Sequence, residues 1–299
     1  MTPLVIDTDP GVDDALALLV AWGSPEVTVE AITTVAGNAP LDRCTLNVFR
    51  LLALRRPTPW PVVAAGADKP LARRLETAEA YHGADGLGDL VDWPDVDVRL
   101  VPQRGADVLV EMARRYAGRQ TLIALGPLTN VAMAVEADAA AMRRIGRVVA
   151  MGGAVNVPGN VTPTAEFNVH VDPEAAARVL AAGLRLDLVP LDATRQAMLT
   201  RGELERALGA TPGLGASRVA AFTRRAFARE GDRLTLHDPL AVGAAIDETL
   251  IGWERVRLEI GPDGETRRSA GPPNCRFARD VDRERFLRLL LERLWPRAS

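Results

Sequence analysis

Lysine is nearly absent from this chain: Lys69 stands alone among 36 basic residues, and the others are all arginine. That removes most options for Schiff-base chemistry or a phosphate-binding lysine. Cysteine is scarce too. Cys44 and Cys275 are the only two, neither in a Cys-x-x-Cys nor beside paired histidines, so a disulfide framework and a thiolate zinc site are excluded and a reducing compartment is the default. The four serines, Ser24, Ser217, Ser269 and Ser299, include no Gly-x-Ser-x-Gly, and neither a Walker loop nor a Gly-x-Gly-x-x-Gly occurs, which argues against serine-hydrolase and nucleotide-loop chemistry. Excess positive charge is missing: the net charge is −3, so there is no electrostatic case for nucleic acid or an anionic membrane as partner. Long apolar runs are missing as well. The charge-free stretches 120–135 and 148–165 are broken by Gly, Pro and Asn, and neither would span a bilayer. The first residues reach Asp7 without a basic segment, so no secretory signal and a cytoplasmic location are expected.

What is present is ordinary globular material, 47% hydrophobic and 25% charged over 299 residues, enough to bury a substantial core. Short apolar runs alternate with helix-period segments, the pattern of βαβ units. Strands are expected at 4–7, 27–34, 61–65, 121–125, 147–151 and 184–190. Helices are expected at 13–22, 41–54, 106–117, 128–137 and 173–182, the last capped by Asp172 with Pro173 at its first position. Beyond about residue 195 the pattern is helical and Arg-rich over 201–229, helical again from Pro239, strand-like over 256–279, and helical over 282–295. The expectation is one α/β domain over 1–299: a mainly parallel open sheet, Rossmann-like, with helices on both faces and the active site at the carboxyl ends of the strands. The part from about residue 196 could form a lobe over that site.

The position of the polar residues carries the functional information. Asp7, Asp9, Asp13 and Asp14 directly follow the first strand, Asn38 follows the second, Gly126-Pro127-Leu128-Thr129-Asn130 follows another, and Met151-Gly152-Gly153 yet another. In an open parallel sheet these ends share one edge, where ligands bind. Four carboxylates within eight residues repel one another and need a cation or raised pKa values. Capping of a helix start accounts for Asp13 or Asp14 but leaves Asp7 and Asp9 unexplained. A hard cation with oxygen ligands fits, Ca²⁺ better than Mg²⁺. It is no EF-hand: Gly11 comes one place early and Leu18 stands where the bidentate Glu belongs. In a second cluster, Asn160, Glu166 and Asn168, the last two share one side if the backbone is extended. The set suits a polyol such as ribose, or equally a group of loop-stabilising turns. The third, His237-Asp238-Pro239, reads as an N-cap before a helix, with His237 a possible acid for a leaving group. His82, in Tyr81-His82-Gly83, carries the same ambiguity.

Together these pieces resemble the inosine-uridine nucleoside hydrolase family. The resemblance rests on Asp7-Thr8-Asp9-Pro10-Gly11-Val12-Asp13-Asp14-Ala15 and continues through Thr33-Thr34-Val35-Ala36-Gly37-Asn38, Tyr81-His82-Gly83, Gly126-Pro127-Leu128-Thr129-Asn130, Met151-Gly152-Gly153, Ala165-Glu166-Phe167-Asn168, Asp172-Pro173-Glu174-Ala175 and His237-Asp238-Pro239. It implies one Ca²⁺ held by Asp9, Asp14, Asp238 and the backbone carbonyl of Leu125, with Asp9 as general base on a metal-bound water. It further implies that Asp13 binds the ribose 2′-hydroxyl, that Asn168 and Asp238 address the 2′ and 3′ side, and that Asn160 and Glu166 grip the 5′ end. Asn38 would support metal and water, His82 and Met151 would line the substrate site, and His237 would assist the departing base. Asp7 would be supportive. The implied reaction is hydrolysis of the N-glycosidic bond of a ribonucleoside, in a homodimer or homotetramer, as a step of purine or pyrimidine salvage.

The chemistry is coherent. Breaking a C1′–N bond builds oxocarbenium character, so ring charge must be stabilised and the leaving base neutralised. A metal clamping the vicinal diol also predicts that deoxyribonucleosides react poorly. One departure lies on the leaving-group side: the resemblance implies that many relatives carry a tyrosine or other aromatic in the helix before His-Asp-Pro, whereas residues 217–236 hold Phe222, Phe227 and several arginines but no tyrosine, so base preference stays open. Two other functions remain to be weighed. A Mg²⁺ phosphohydrolase of the haloacid dehalogenase type fits Asp7-Thr8-Asp9 loosely but gives Glu166 and Asn168 no job. A non-catalytic nucleoside-binding protein would have no need of paired Asp9 and Asp14 at a metal.

Overall fold

A computed structural model describes residues 1–209 and 213–295; the expected 201–229 helical stretch and the 1–299 domain therefore include positions outside the described residues. Strand and helix alternate from the start. β1 (Thr2–Thr8) leads into α1 (Val12–Trp22), β2 (Val27–Thr34) into α2 (Leu41–Arg55), and β3 (Val62–Ala65) into a long connection carrying the one-turn α3 (Glu79–His82). Next come α4 (Gly105–Tyr116), β4 (Thr121–Ala124), α5 (Thr129–Met142), β5 (Arg147–Met151), α6 (Phe167–Val171), α7 (Pro173–Ala181) and β6 (Leu186–Val189). The remainder comprises α8 (Leu191–Thr194), β7 (Met198–Thr200), α9 (Arg201–Gly209), α10 (Leu214–Arg229), β8 (Arg233–Thr235) and α11 (His237–Ile246). It closes with β9 (Ile251–Val256), β10 (Leu258–Ile260), β11 (Thr266–Arg268), β12 (Cys275–Val281) and α12 (Arg283–Leu294).

The central sheet runs β3-β2-β1-β4-β5-β6-β12-β9. Every pairing in it is parallel except that of β9, which lies antiparallel on β12. The strands are apolar on both sides because both faces are covered, as a parallel sheet requires. β1 shows the division: Leu4 and Ile6 join the core on one face and Val5 the core on the other, following the two-residue period of a strand. The expected mainly parallel α/β sheet is therefore found, and its tail strands go further than the sequence indicated, since β12 and β9 complete the main sheet.

Strand order reverses between β1 and β4. The first three strands step one way and β4, β5 and β6 the other, which opens a crevice at the carboxyl ends of β1 and β4. α1 starts at that crevice and is buried from Val12 to Ala21, packed against α11, α12 and α10. A helix apolar on all sides belongs in an interior, and each Leu buried there contributes roughly 1.5–3 kcal/mol. Its first turn carries Asp13 and Asp14 into the protein with it.

Two local expectations change. Residues 166–168 do not continue as an extended run: Glu166 is itself extended but caps α6, accepting hydrogen bonds from the backbone of Asn168 and Val169, so Asn168 occupies the first turn of a helix and its direction follows from that turn. Asp238 is not an N-cap either. α11 begins at His237 behind Leu236, which makes no side-chain cap, and the Asp238 carboxylate is left for other work. Asp172 does cap α7, accepting from Ala175 N, and it also holds Thr129 Oγ1 at 2.7 Å and Leu71 N at 2.9 Å.

Candidate active site

The turn after β1 is built around two aspartates that make very different bonds. Asp14 is fully engaged: Thr8 Oγ1 donates to its Oδ1 at 2.5 Å, and Gly11 N and Asn38 Nδ2 donate to Oδ2 at 3.0 and 2.9 Å. Asp9 accepts one bond, from Asn38 N to Oδ2 at 2.7 Å. Its Oδ1 is buried and has no hydrogen-bond partner. Gly37 and Gly126 press backbone onto this carboxylate, since a Cβ on Gly37 would lie 2.1 Å from Asp9 Oδ2 and one on Gly126 2.4 Å from Oδ1. Glycine is required at both positions by that close approach.

Asp13, Asp14 and Asp238 each bring a carboxylate oxygen within 4.8 Å of the others. Burial, with the Asp14 charge next, pushes Asp13 up to about 8. Burial likewise pushes Asp9 well above the carboxylate range, helped by the Asp14 and Asp13 charges, and Asp238 well above it, helped by Asp13, Asp14 and Asp9. Such a group must either bind protons or gather around a cation. The orphaned Asp9 Oδ1 beside an all-oxygen donor set fits a hard divalent ion. Asp7 makes a different environment. Thr33 Oγ1 and Asn130 Nδ2 both donate to its Oδ1, at 2.5 and 2.7 Å, and burial raises it to about 7.

Above this floor lies a cavity of about 350 Å³, within the roughly 300–1,000 Å³ of small-molecule sites. Its wall includes Asp13, Asn38, Leu125, Met151, Asn168 and Asp238. Asn168 Nδ2 donates to the carbonyls of Leu125 and Met151 at 2.6 and 3.2 Å, tying the ends of β4 and β5 together and leaving each carbonyl a second lone pair. Glu166 and Asn160 reach the same wall. Glu166 accepts three backbone N–H groups, from Asn168, Gly153 and Val169, and Asn160 Oδ1 accepts from Phe167 N at 2.9 Å. The trio stabilises the loop and at the same time faces the cavity.

The opposite wall comes from α3, α8 and the segment after residue 213. His82 Nδ1 accepts from Val12 N at 3.0 Å, and burial, with His237 next, pushes it down to about 3. His237 Nδ1 pairs with Thr194 Oγ1 at 2.8 Å, and burial, with the Arg195 charge next, pushes it down to about 4. Both imidazoles are neutral near pH 7. Tyr81 stacks edge-on against His82 and donates its hydroxyl to Glu230, whose other oxygen accepts Thr235 N and Oγ1 at 3.0 Å. Arg225 and Arg229 of α10 donate to the Ala80 carbonyl, fastening α10 over α3. The crevice therefore gathers all the residues expected in it except Asp9 and Asp14, which lie beneath the cavity wall in the floor. Tyr81, Arg195, Glu230 and Thr235 were not anticipated. Tyr81 could have been found from its place in Tyr81-His82-Gly83; the others have no local signature.

The family model for the inosine-uridine preferring nucleoside hydrolase matches residues 4–288. The inosine-uridine preferring nucleoside hydrolase of Leishmania major is 35% identical over 305 residues, covering 97% of this chain and 96% of that protein. The pyrimidine-specific ribonucleoside hydrolase RihA of an Enterobacter species is 35% identical, with 98% and 97% covered. Among solved structures, a plant nucleoside hydrolase superposes with a TM-score of 0.91 at 34% identity, with 98% of each chain covered.

Proposed function

Because the chain belongs to the inosine-uridine preferring nucleoside hydrolase family and so cleaves the N-glycosidic bond of ribonucleosides, we propose that it does so with one Ca²⁺ in the acidic floor and with Asp9 as general base. The observation that carries this reading is the buried, partnerless Oδ1 of Asp9, on a carboxylate that interacts electrostatically with Asp13, Asp14 and Asp238, the three whose oxygens lie within 4.8 Å of one another. Asp9, Asp14, Asp238 and the Leu125 carbonyl would hold the ion. When bound, such an ion clamps a vicinal diol and makes a nearby water more acidic.

The protein's own groups do the rest. Asp9 Oδ1 takes the proton of the attacking water, while Asn38 N keeps the other oxygen fixed. Asp13 accepts the 2′-hydroxyl proton in a hydrogen bond, and Asn168 with Asp238 orients the 2′ and 3′ side. Asn160, through its free amide nitrogen, and Glu166 hold the 5′ end. Met151 and His82 close the sides of the ribose pocket, and His237 stands beside the departing base. Negative charge fixed around the sugar favours the oxocarbenium-like transition state. Attack from the floor, opposite the base, gives inversion at C1′.

The reading extends to assembly and setting: a cytoplasmic homodimer or homotetramer in which the segment from about residue 196 covers the crevice of a single catalytic unit. Among the described residues no helix is long and apolar enough to cross a membrane. Family membership sets aside the phosphohydrolase alternative and argues against mere binding.

The test is release of free ribose from inosine, adenosine, guanosine, uridine and cytidine, with and without chelation, beside Asp9→Ala. Ribose release abolished by the chelator, restored by Ca²⁺ and absent in Asp9→Ala is the expected result. Release that survives chelation removes the metal from the proposal.

A further inference from the structure

The cavity wall holds four carboxylates, Asp13, Glu166, Glu230 and Asp238, and two histidines, but a single Lys or Arg side chain: Arg195. This half-buried residue ends α8, immediately after Thr194, the residue whose hydroxyl bonds His237 Nδ1. Its charge is close enough to perturb His237, so the two side chains share one side of the cavity. A guanidinium offers five N–H donors. The side chain of Arg195 makes one bond, Nη2 to the Gly159 carbonyl at 3.1 Å. It forms no ion pair with any carboxylate among the described residues. An unpaired cation facing a partly enclosed cavity acts at lower dielectric than one in bulk water.

N-glycosidic cleavage leaves the C1′–N electron pair on the base. Water oxygen bonds to C1′, one of the water's protons passes to the general base, and the nucleobase departs with negative charge until solvent protonates a ring nitrogen or a carbonyl oxygen. Fixed positive charge at the place where that charge develops lowers the barrier without any proton moving from the protein. Among the described residues Arg195 is the one Lys or Arg side chain in the cavity wall that could do this, in a chain that carries no tyrosine in the helix leading to His237. We propose that Arg195 is the leaving-group residue: its free guanidinium N–H groups contact ring acceptors of the departing base and stabilise it as an anion, and bases that present such acceptors are preferred. This rests on the nucleoside hydrolase reading and adds to it a residue that sequence motifs did not indicate.

The test compares nucleosides with p-nitrophenyl β-D-ribofuranoside, which has the same sugar but a leaving group that needs no help. With Arg195→Gln in the full-length, Ca²⁺-loaded protein, kcat/KM for inosine and uridine should fall about 100-fold, the usual effect of removing one charge-stabilising group. The nitrophenyl riboside should lose no more than about threefold. Arg195→Lys should retain more nucleoside activity than Arg195→Gln, and guanidinium ion should partly rescue Arg195→Ala on nucleosides only. An equal loss on both substrates would put Arg195 on the ribose they share and overturn the inference, as would no loss on either. If the wild-type protein cleaves neither riboside, the hydrolase reading itself fails and this inference falls with it. If it cleaves both, the Arg195 comparison decides alone.

Discussion

Replacing Asp7 by Asn should remove the pH dependence of one large term in stability. The Asp7 carboxyl is fully buried, receives Thr33 Oγ1 and Asn130 Nδ2 on one oxygen, and has nothing on the other. Burial outweighs the two donors and raises its pKa to about 7 from 3.8. A folded-state pKa above the unfolded one means the native protein binds the proton more tightly. The stabilisation is then complete below the unfolded value, declines as pH rises, and is gone above the folded value. At about 1.4 kcal/mol per unit, the two units between pH 5 and about 7 amount to about 3 kcal/mol. Asparagine keeps an oxygen for Thr33 and Asn130 and cannot ionise, but puts an amide nitrogen where no acceptor exists, at a cost of about 1–3 kcal/mol. Asp7→Asn should therefore be less stable than wild type at pH 5 and gain about 3 kcal/mol relative to it by pH 8, so that the two curves approach or cross. Urea unfolding of both proteins at pH 5, 6, 7 and 8, with chelator throughout so that the neighbouring cluster titrates alike in each, gives the difference directly. A gap between the two proteins that stays constant with pH would mean Asp7 remains ionised when folded, and the burial argument would be refuted.

Three further outcomes follow from the same geometry. Gly126→Ala drives a Cβ to 2.4 Å from Asp9 Oδ1, so Ca²⁺ affinity by titration calorimetry should weaken at least tenfold, in line with the roughly 10–100-fold effects of displacing groups that orient ligands; unchanged affinity would take Asp9 out of the ion site. Metal-free protein should lose thermal stability as pH rises through about 8, where the buried Asp13 carboxyl gives up its proton, whereas Ca²⁺-loaded protein should not. Parallel melting curves with and without chelator from pH 6 to 9 would contradict this. Asp172→Ala strips the cap of α7 and the partners of Thr129 and Leu71, and should cost about 2–4 kcal/mol in denaturant unfolding while leaving kcat within about twofold, because Asp172 does not reach the cavity.

The features that were legible in the sequence are those in which local chemistry and topology coincide. A strand buried on both faces must be a continuous apolar run, so the abrupt appearance of Asp7, Asp9, Asp13 and Asp14 after it could only mark a strand end. The alternation of strands and helices then put that end on the same edge as Asn38, Leu125 and Met151. Asp172 with Pro173 is likewise a local device, and it forms where its neighbours require. Glu166 and Asn168 show the limit of the method. Their spacing of two suits a strand, but Glu166 finds three backbone N–H groups to accept, and that capping converts the following residues into a turn of helix.

The other half of the crevice depends on contacts that no local pattern encodes. Tyr81 meets Glu230 across 149 positions, and each is unremarkable in its own segment: one begins a glycine-rich loop, the other ends an amphipathic helix. β12 falls in a tail that reads only as strand-like over 256–279, β9 lies almost wholly ahead of that stretch, and they acquire their place through β12 pairing with β6 and β9 pairing with β12. Arg195 is the extreme case, since an arginine in an arginine-rich chain carries no information until its neighbours are known. What distinguishes it is its place in the cavity wall, and that is a property of three-dimensional packing. The asymmetry has a chemical basis. In the proposed reading, three of the groups that meet the ribose and the cation, Asp9, Asp13 and Asp14, crowd onto one turn after β1, where their mutual repulsion makes them conspicuous. The same reading has the base meet residues from α3, α8 and the segment around Glu230, each contributing one side chain, so that base specificity would change through single substitutions while the acidic floor stays as it is.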